Sequence, residues 1–313
     1  MPKNKKMLTA LRKVMYSEKD LQETYKHERK MVNLTHPHLM KPFYQMWDQQ
    51  VLAEGHEIPV RLFFPIKGGN DRPLLIFFHG GGFVVGNINS YSKVCTHMAN
   101  ITGHIVLSVD YRLAPEHPFP AGLEDCYAVV KEVVHSPLLA HNAKHGVFLI
   151  GDSAGGNLAA AVSLLARDRG EFEIAKQILL YPATYYDHSE NSPFTSVKEN
   201  GSDYLLTSKR MVDYMNLYVA DKRDFKNPYV APLLAEDLSH QPETLIITAN
   251  YDLLRDEGEA YGKRLHEAGN KVSIYRMPDA IHGFITLSPL FPEVKECYKI
   301  INRFLSKEKK SCN

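Results

Sequence analysis

The chain has 313 residues, enough to bury a large core as one large domain or two smaller ones. Its 37 Lys and Arg nearly balance 36 Asp and Glu, and a net charge of +1 supplies no general attraction for nucleic acid or an anionic membrane. Apolar residues make up 44%, as in an ordinary soluble globular protein, and no run of 18 apolar residues is present to span a membrane.

In chain order, Lys3, Lys5 and Lys6 precede Leu8, Leu11, Val14 and Met15 without a continuous apolar h-region, so a secretory signal is not expected. Leu8, Leu11 and Met15 lie on one helical face, which is expected to pack on the protein itself. Residues 57–64, 74–78, 105–109, 147–150, 177–181, 244–249 and 272–276 read as strands. Residues 121–135 and 154–168 have helical patterns, and a polar stretch around 257–267 reads as a further helix. Residues 185–225 interrupt the alternation. They start polar and continue as a helix carrying Met211, Tyr214, Met215, Leu217 and Tyr218. Strands alternating with helices imply an α/β fold, a mostly parallel sheet with helices on both faces, whose reactive groups gather at the carboxyl ends of the strands.

The motif carrying most chemistry is Gly151-Asp152-Ser153-Ala154-Gly155, between the apolar run 147–150 and the helix that follows. This is the G-x-S-x-G pattern on a strand–turn–helix, where a sharp turn exposes the serine hydroxyl for attack on a carbonyl. Upstream, His79-Gly80-Gly81-Gly82-Phe83 follows the strand 74–78. Glycines let backbone N–H groups approach a reacting carbonyl, and the N–H groups of Gly80, Gly81 and Ala154 are the expected oxyanion donors. The loop lacks both phosphate-binding glycine patterns. A serine needs a base, and the usual order in this fold is Ser, Asp or Glu, His. Past residue 252 the chain has two histidines. His266 falls in a polar helix, whereas His282 lies in a loop beyond a strand and before Gly283, the position suited to a base. Asp252 is the first carboxylate beyond the strand 244–249. Asp256 and Glu257 are the runners-up, expected at the start of the next helix, and Asp279 is the third choice.

These segments, with Asp110-Tyr111-Arg112-Leu113-Ala114-Pro115-Glu116-His117-Pro118-Phe119-Pro120-Ala121, Gly156-Asn157, Tyr251 to Glu257 and Ile281-His282-Gly283-Phe284, resemble the hormone-sensitive-lipase family of α/β-hydrolases over about residues 53–313. The resemblance implies an α/β-hydrolase core with a helical cap. Residues 1–52 would form the N-terminal part of the cap, 53–184 the first part of the core, 185–225 a cap insertion and 226–313 the second part of the core. It further implies a serine carboxylesterase for short-chain acyl esters, with Ser153 as nucleophile, His282 as base and Asp252 as its orienting acid. Glu116 and His117 are expected in scaffold. Asp152 would brace the elbow, and His79 would orient the glycine loop.

Two alternatives remain: a small amidase or deacetylase with the same mechanism, and a non-catalytic binding protein like the plant hormone receptors of the family. The receptors have typically lost the histidine that this chain keeps. No cofactor or metal is expected, nor any nucleic-acid partner. A monomer or homodimer fits the resemblance. Cys95, Cys126, Cys297 and Cys312 form no C-x-x-C pair, so free thiols in the cytoplasm are expected.

Overall fold

The computed structural model describes residues 21–35, 46–53, 55–68, 73–135 and 146–306. The apolar stripe at Leu8, Leu11 and Met15 and the thiol of Cys312 lie outside the described residues. Eight strands form one sheet: β1 (Met46–Ala53), β2 (His56–Phe63), β3 (Leu74–Phe78), β4 (Val106–Val109), β5 (Val147–Asp152), β6 (Lys176–Leu180), β7 (Glu243–Tyr251) and β8 (Val272–Ile281). Their order is β1-β2-β4-β3-β5-β6-β7-β8. β2 runs antiparallel to both β1 and β4, and all other neighbours are parallel.

β3 to β6 are buried at every position because both sheet faces are covered. In β3, Leu74, Ile76 and Phe78 point into one core layer and Leu75 and Phe77 into the other. In β5, Val147 and Leu149 likewise oppose Phe148 and Ile150. One layer takes the buried faces of α3 (Ala121–His135), α4 (Ala154–Arg169) and α7 (Arg255–Glu267). The other takes those of α2 (Ile88–Thr102) and α8 (Pro292–Leu305). α8 starts on Pro292 at its first turn and buries Val294, Cys297, Tyr298, Ile301, Phe304 and Leu305, the spacing of one helical stripe. α4 is buried all round from Ala154 to Ala166, and its alanines and glycines permit that close approach. At Gly155 a Cβ would overlap the carbonyl of Phe78, so only glycine lets α4 come this near to β3.

The sequence reading misses β1. Met46–Ala53, expected in the N-terminal cap segment, pairs along its length with β2 as an edge strand of the sheet. Only Val51 of its residues is buried, so the segment lacks an apolar pattern.

Three helices stand over the carboxyl ends of the strands: α1 (Leu21–Thr35), α5 (Thr195–Asn200) and α6 (Ser208–Tyr218). α1 packs on α6 through a buried ion pair, Arg210 Nη2 to Glu28 Oε1 at 2.6 Å. Among the described residues no helix is long and apolar enough to cross a membrane. Cys95, Cys126 and Cys297 are buried free thiols.

Candidate active site

Ser153 sits between β5 and α4 with φ 56° and ψ −118°, a conformation rare for a residue with a side chain. The turn is held from both sides. The Ser153 N–H donates to Leu180 O at 2.9 Å, and Ser153 O accepts from Asn157 N at 3.0 Å. The strain lifts the hydroxyl out of the backbone toward His282.

His282 follows β8, and Asp252 follows β7, the neighbouring strand. His282 Nε2 lies 2.8 Å from Ser153 Oγ, and His282 Nδ1 lies 2.7 Å from Asp252 Oδ2. Asp252 is buried, and its other oxygen, Oδ1, accepts the Leu254 N–H at 3.0 Å. Asn200, at the end of α5, donates to Asp252 O at 3.2 Å and ties the acid's loop to the insertion above it. A carboxylate on Nδ1 leaves Nε2 free to accept a proton from the serine, the chain of contacts needed to activate a hydroxyl.

The other carboxylates and histidines lie elsewhere. Asp256 accepts the Ser196 N–H at 2.7 Å and pairs with Arg255. Glu257 is wholly buried, accepts the N–H groups of Thr184 and Tyr185, and faces His188. Asp279, His266 and His117 are exposed. Glu116 pairs with Arg29.

In the glycine loop the Gly80 N–H donates to Asp152 Oδ1 at 2.8 Å. Among the described residues, the N–H groups of Gly81, Gly82 and Ala154 have no protein acceptor. Gly82, at φ +61°, lies so close under the Tyr214 ring that a Cβ there would overlap it. His79 is buried, stacks on Tyr111 at 4.4 Å between ring centroids, and donates from Nδ1 to Gly80 O at 2.8 Å. Burial lowers its pKa, which suits a neutral brace.

Asp152 Oδ2 accepts from Tyr91 at 3.1 Å and from Tyr181 at 3.4 Å. Burial pushes this carboxyl up to about 6, against the lowering pull of the Gly80 N–H, the tyrosine hydroxyls and nearby His282. Its partners in space come from positions 80, 91 and 181, so the pattern around the serine carries no sign of them.

A cavity of about 200 Å³ opens on Ser153 and His282. Its walls include Val32 of α1, Leu205, Leu206, Met211 and Tyr214 of the insertion, Tyr91, and Thr286 and Leu287 beyond the histidine. No Lys, Arg or Glu is among them. Sequence reasoning left open which insertion residues face the site and did not single out Val32. Among the described residues no group of three His, Cys, Asp or Glu is placed to hold a metal ion.

The chain matches the alpha/beta hydrolase fold family over residues 75–286. An arylesterase of Saccharolobus solfataricus is 37% identical over 239 residues, 76% of this chain and 76% of that protein. An ethyl acetate hydrolase of Pseudomonas putida is 32% identical over 249 residues, 78% of this chain and 76% of that protein. The solved structure of a hyperthermophilic esterase from the archaeon Pyrobaculum calidifontis superposes with a TM-score of 0.87 at 34% identity, covering 98% of each chain. With Ser153, His282 and Asp252 in one hydrogen-bonded line on an α/β-hydrolase sheet, the chain belongs to the hormone-sensitive-lipase family of α/β-hydrolases and is a carboxylic ester hydrolase.

Proposed function

We propose that the protein hydrolyses short-chain acyl esters of small alcohols through an acyl-enzyme on Ser153. The observation that carries this reading is the unbroken contact from Ser153 Oγ to His282 Nε2 and from His282 Nδ1 to Asp252, at 2.8 and 2.7 Å. His282 takes the serine proton as Oγ attacks the ester carbonyl, and Asp252 stabilises the imidazolium. The N–H groups of Gly81, Gly82 and Ala154 receive the oxyanion. Ala154 heads α4, where an unpaired N–H meets the positive end of the helix dipole. His282 then protonates the leaving alcohol, and water repeats the sequence to release the acid.

The short-chain preference rests on the size and lining of the cavity. About 200 Å³ of largely apolar space suits a small ester better than a fatty acyl chain. The ethyl acetate hydrolase among the relatives agrees with it. α1 and the insertion at residues 185–225 serve as the cap that sets this volume.

The test is hydrolysis of p-nitrophenyl esters from acetate to laurate by the wild type and Ser153→Ala. Activity is expected to fall with chain length and to drop by several orders of magnitude in the variant, which should fold normally. Turnover near wild type in Ser153→Ala would remove the serine from the mechanism. A rate that rises toward laurate would remove the short-chain reading.

A further inference from the structure

We propose that Arg29 is a positioning residue for ester hydrolysis: from α1 it holds the turn that presents the Gly81 and Gly82 N–H groups to the oxyanion. The proposal rests on the donor assignment just given.

Arg29 is half-buried and uses most of its fork. Nε donates to Val84 O at 2.7 Å, and Nη2 donates to Ala114 O at 2.7 Å. Nη1 and Nη2 also reach the Glu116 carboxylate, each at 3.0 Å. The two carbonyls belong to the support of the glycine loop. The N–H groups of Val84 and Val85 both donate to Gly81 O, at 3.1 and 2.9 Å, so Val84 closes the turn that Gly81 opens. The Ala114 N–H donates to Phe83 O at 2.9 Å. Arg29 therefore brackets two backbone stretches that already grip the loop.

The loop has reason to need a bracket. Gly81, Gly82 and Phe83 all have positive φ, at 119°, 61° and 64°. Three such residues in a row do not hold themselves in place, and surrounding contacts must determine them. On one side Asp152 fixes Gly80. On the other, the fixing side chain comes from a helix 55 residues earlier in the chain. One turn further along α1, Asn33 Oδ1 accepts from Asn87 Nδ2 at 2.6 Å, and Val32 forms part of the cavity wall. The same helix thus touches the substrate space and sets the loop that stabilises charge. Lysine could not replace this, because an ammonium lacks the planar fork that reaches both carbonyls at once. The Glu116 contact is exposed and contributes little.

The experiment compares Arg29→Ala, Arg29→Lys and Glu116→Gln with the wild type. For each, kcat/KM on p-nitrophenyl acetate is measured with the affinities of two probes of the same shape. One is a trifluoromethyl ketone: Ser153 Oγ adds to its carbonyl carbon, the serine proton passes to His282, and the carbonyl oxygen becomes the oxyanion. The other is an ether that forms no adduct. Losing one oxyanion donor outright costs about 10²–10³ in rate, and a loosened loop forfeits part of that. Both Arg29 variants should lose about ten- to a hundredfold in kcat/KM and weaken the ketone by the same factor. Ether affinity should stay within about twofold, and Glu116→Gln should resemble the wild type.

Unchanged kcat/KM in the Arg29 variants would overturn the proposal. So would equal losses of ketone and ether affinity, which would mean that α1 only shapes the cavity. If Arg29→Ala melts below the assay temperature, Arg29→Lys, which keeps the charge and the helix, carries the test. A wild type that binds the ketone no better than the ether would instead show that the oxyanion assignment itself is wrong, and the proposal would fall with it.

Discussion

Asp252 and Asp256 stand four residues apart, and their surroundings separate their roles. Asp252 faces His282 Nδ1, whereas Asp256 holds the Ser196 N–H and the Arg255 guanidinium. Asp252→Asn should therefore lower kcat by up to about 10⁴-fold, because an amide on Nδ1 favours the wrong imidazole tautomer. Asp256→Asn should keep kcat within a few-fold and lose some thermal stability with its ion pair. Steady-state kinetics and melting of both variants check this, and the reverse ranking would move the acid to Asp256. The sequence carried Ser153, His282 and Asp252 because each lies just beyond a strand end with a local signature. It could not carry the fate of the Gly80 N–H, whose acceptor lies 72 residues away. Nor could it point to Arg29, which reads as one more charge on a polar helix until its carbonyl partners, 55 and 85 residues distant, are known.

At the scale of elements, strands with buried faces were legible and the strand without one was not. β3 is apolar at all five positions, and its limits follow from composition alone. β1 exposes Trp47 and Leu52 and buries only Val51, so its strand character comes from pairing with β2, which no local pattern records. Asp152 is the carboxylate that joins two of these elements, the elbow after β5 and the glycine loop after β3. It sits among the Gly80 N–H, Tyr91, Tyr181 and the His282 imidazole, and its folded pKa of about 6 lies above the ordinary 3.8. The folded state thus holds this proton more tightly than the unfolded chain does. The resulting stability is fully present below about pH 3.8 and is lost as pH rises through about 6, a change of about 3 kcal/mol. Asp152→Asn removes the titration. Between pH 4.5 and 7.5 the melting temperature of the wild type should therefore fall relative to that of the variant, while the rest of the pH dependence cancels. A constant gap across that range would show that Asp152 does not titrate in the folded protein.

For the molecule as a whole, the sheet fixes the reacting atoms and two distant chain segments fix the space above them. α1 and α6 meet through Glu28 and Arg210, a pair buried on both sides and spanning 182 residues. Burial raises the Glu28 pKa in spite of the guanidinium, so the pair fixes the register of the two helices at some cost in desolvation. In that register Val32 and Tyr214 bound the cavity, and the Tyr214 ring lies directly over Gly82. Tyr214 is thus the side chain whose removal enlarges the space nearest the reacting carbonyl without touching Ser153, His282 or Asp252. Each methylene that gains an apolar site contributes about 0.8 kcal/mol, or about fourfold in rate where it acts in the transition state. Tyr214→Ala should then raise kcat/KM for the hexanoate ester relative to the acetate by about tenfold or more. Acetates of progressively larger alcohols, run in parallel, tell which side of the ester the ring confines. If the acyl series moves and the alcohol series does not, Tyr214 closes the acyl end, and the opposite pattern assigns it to the alcohol. If neither series moves, the ring does not set the volume, and the limit on chain length has to be sought at Leu205 and Leu206 across the same cavity.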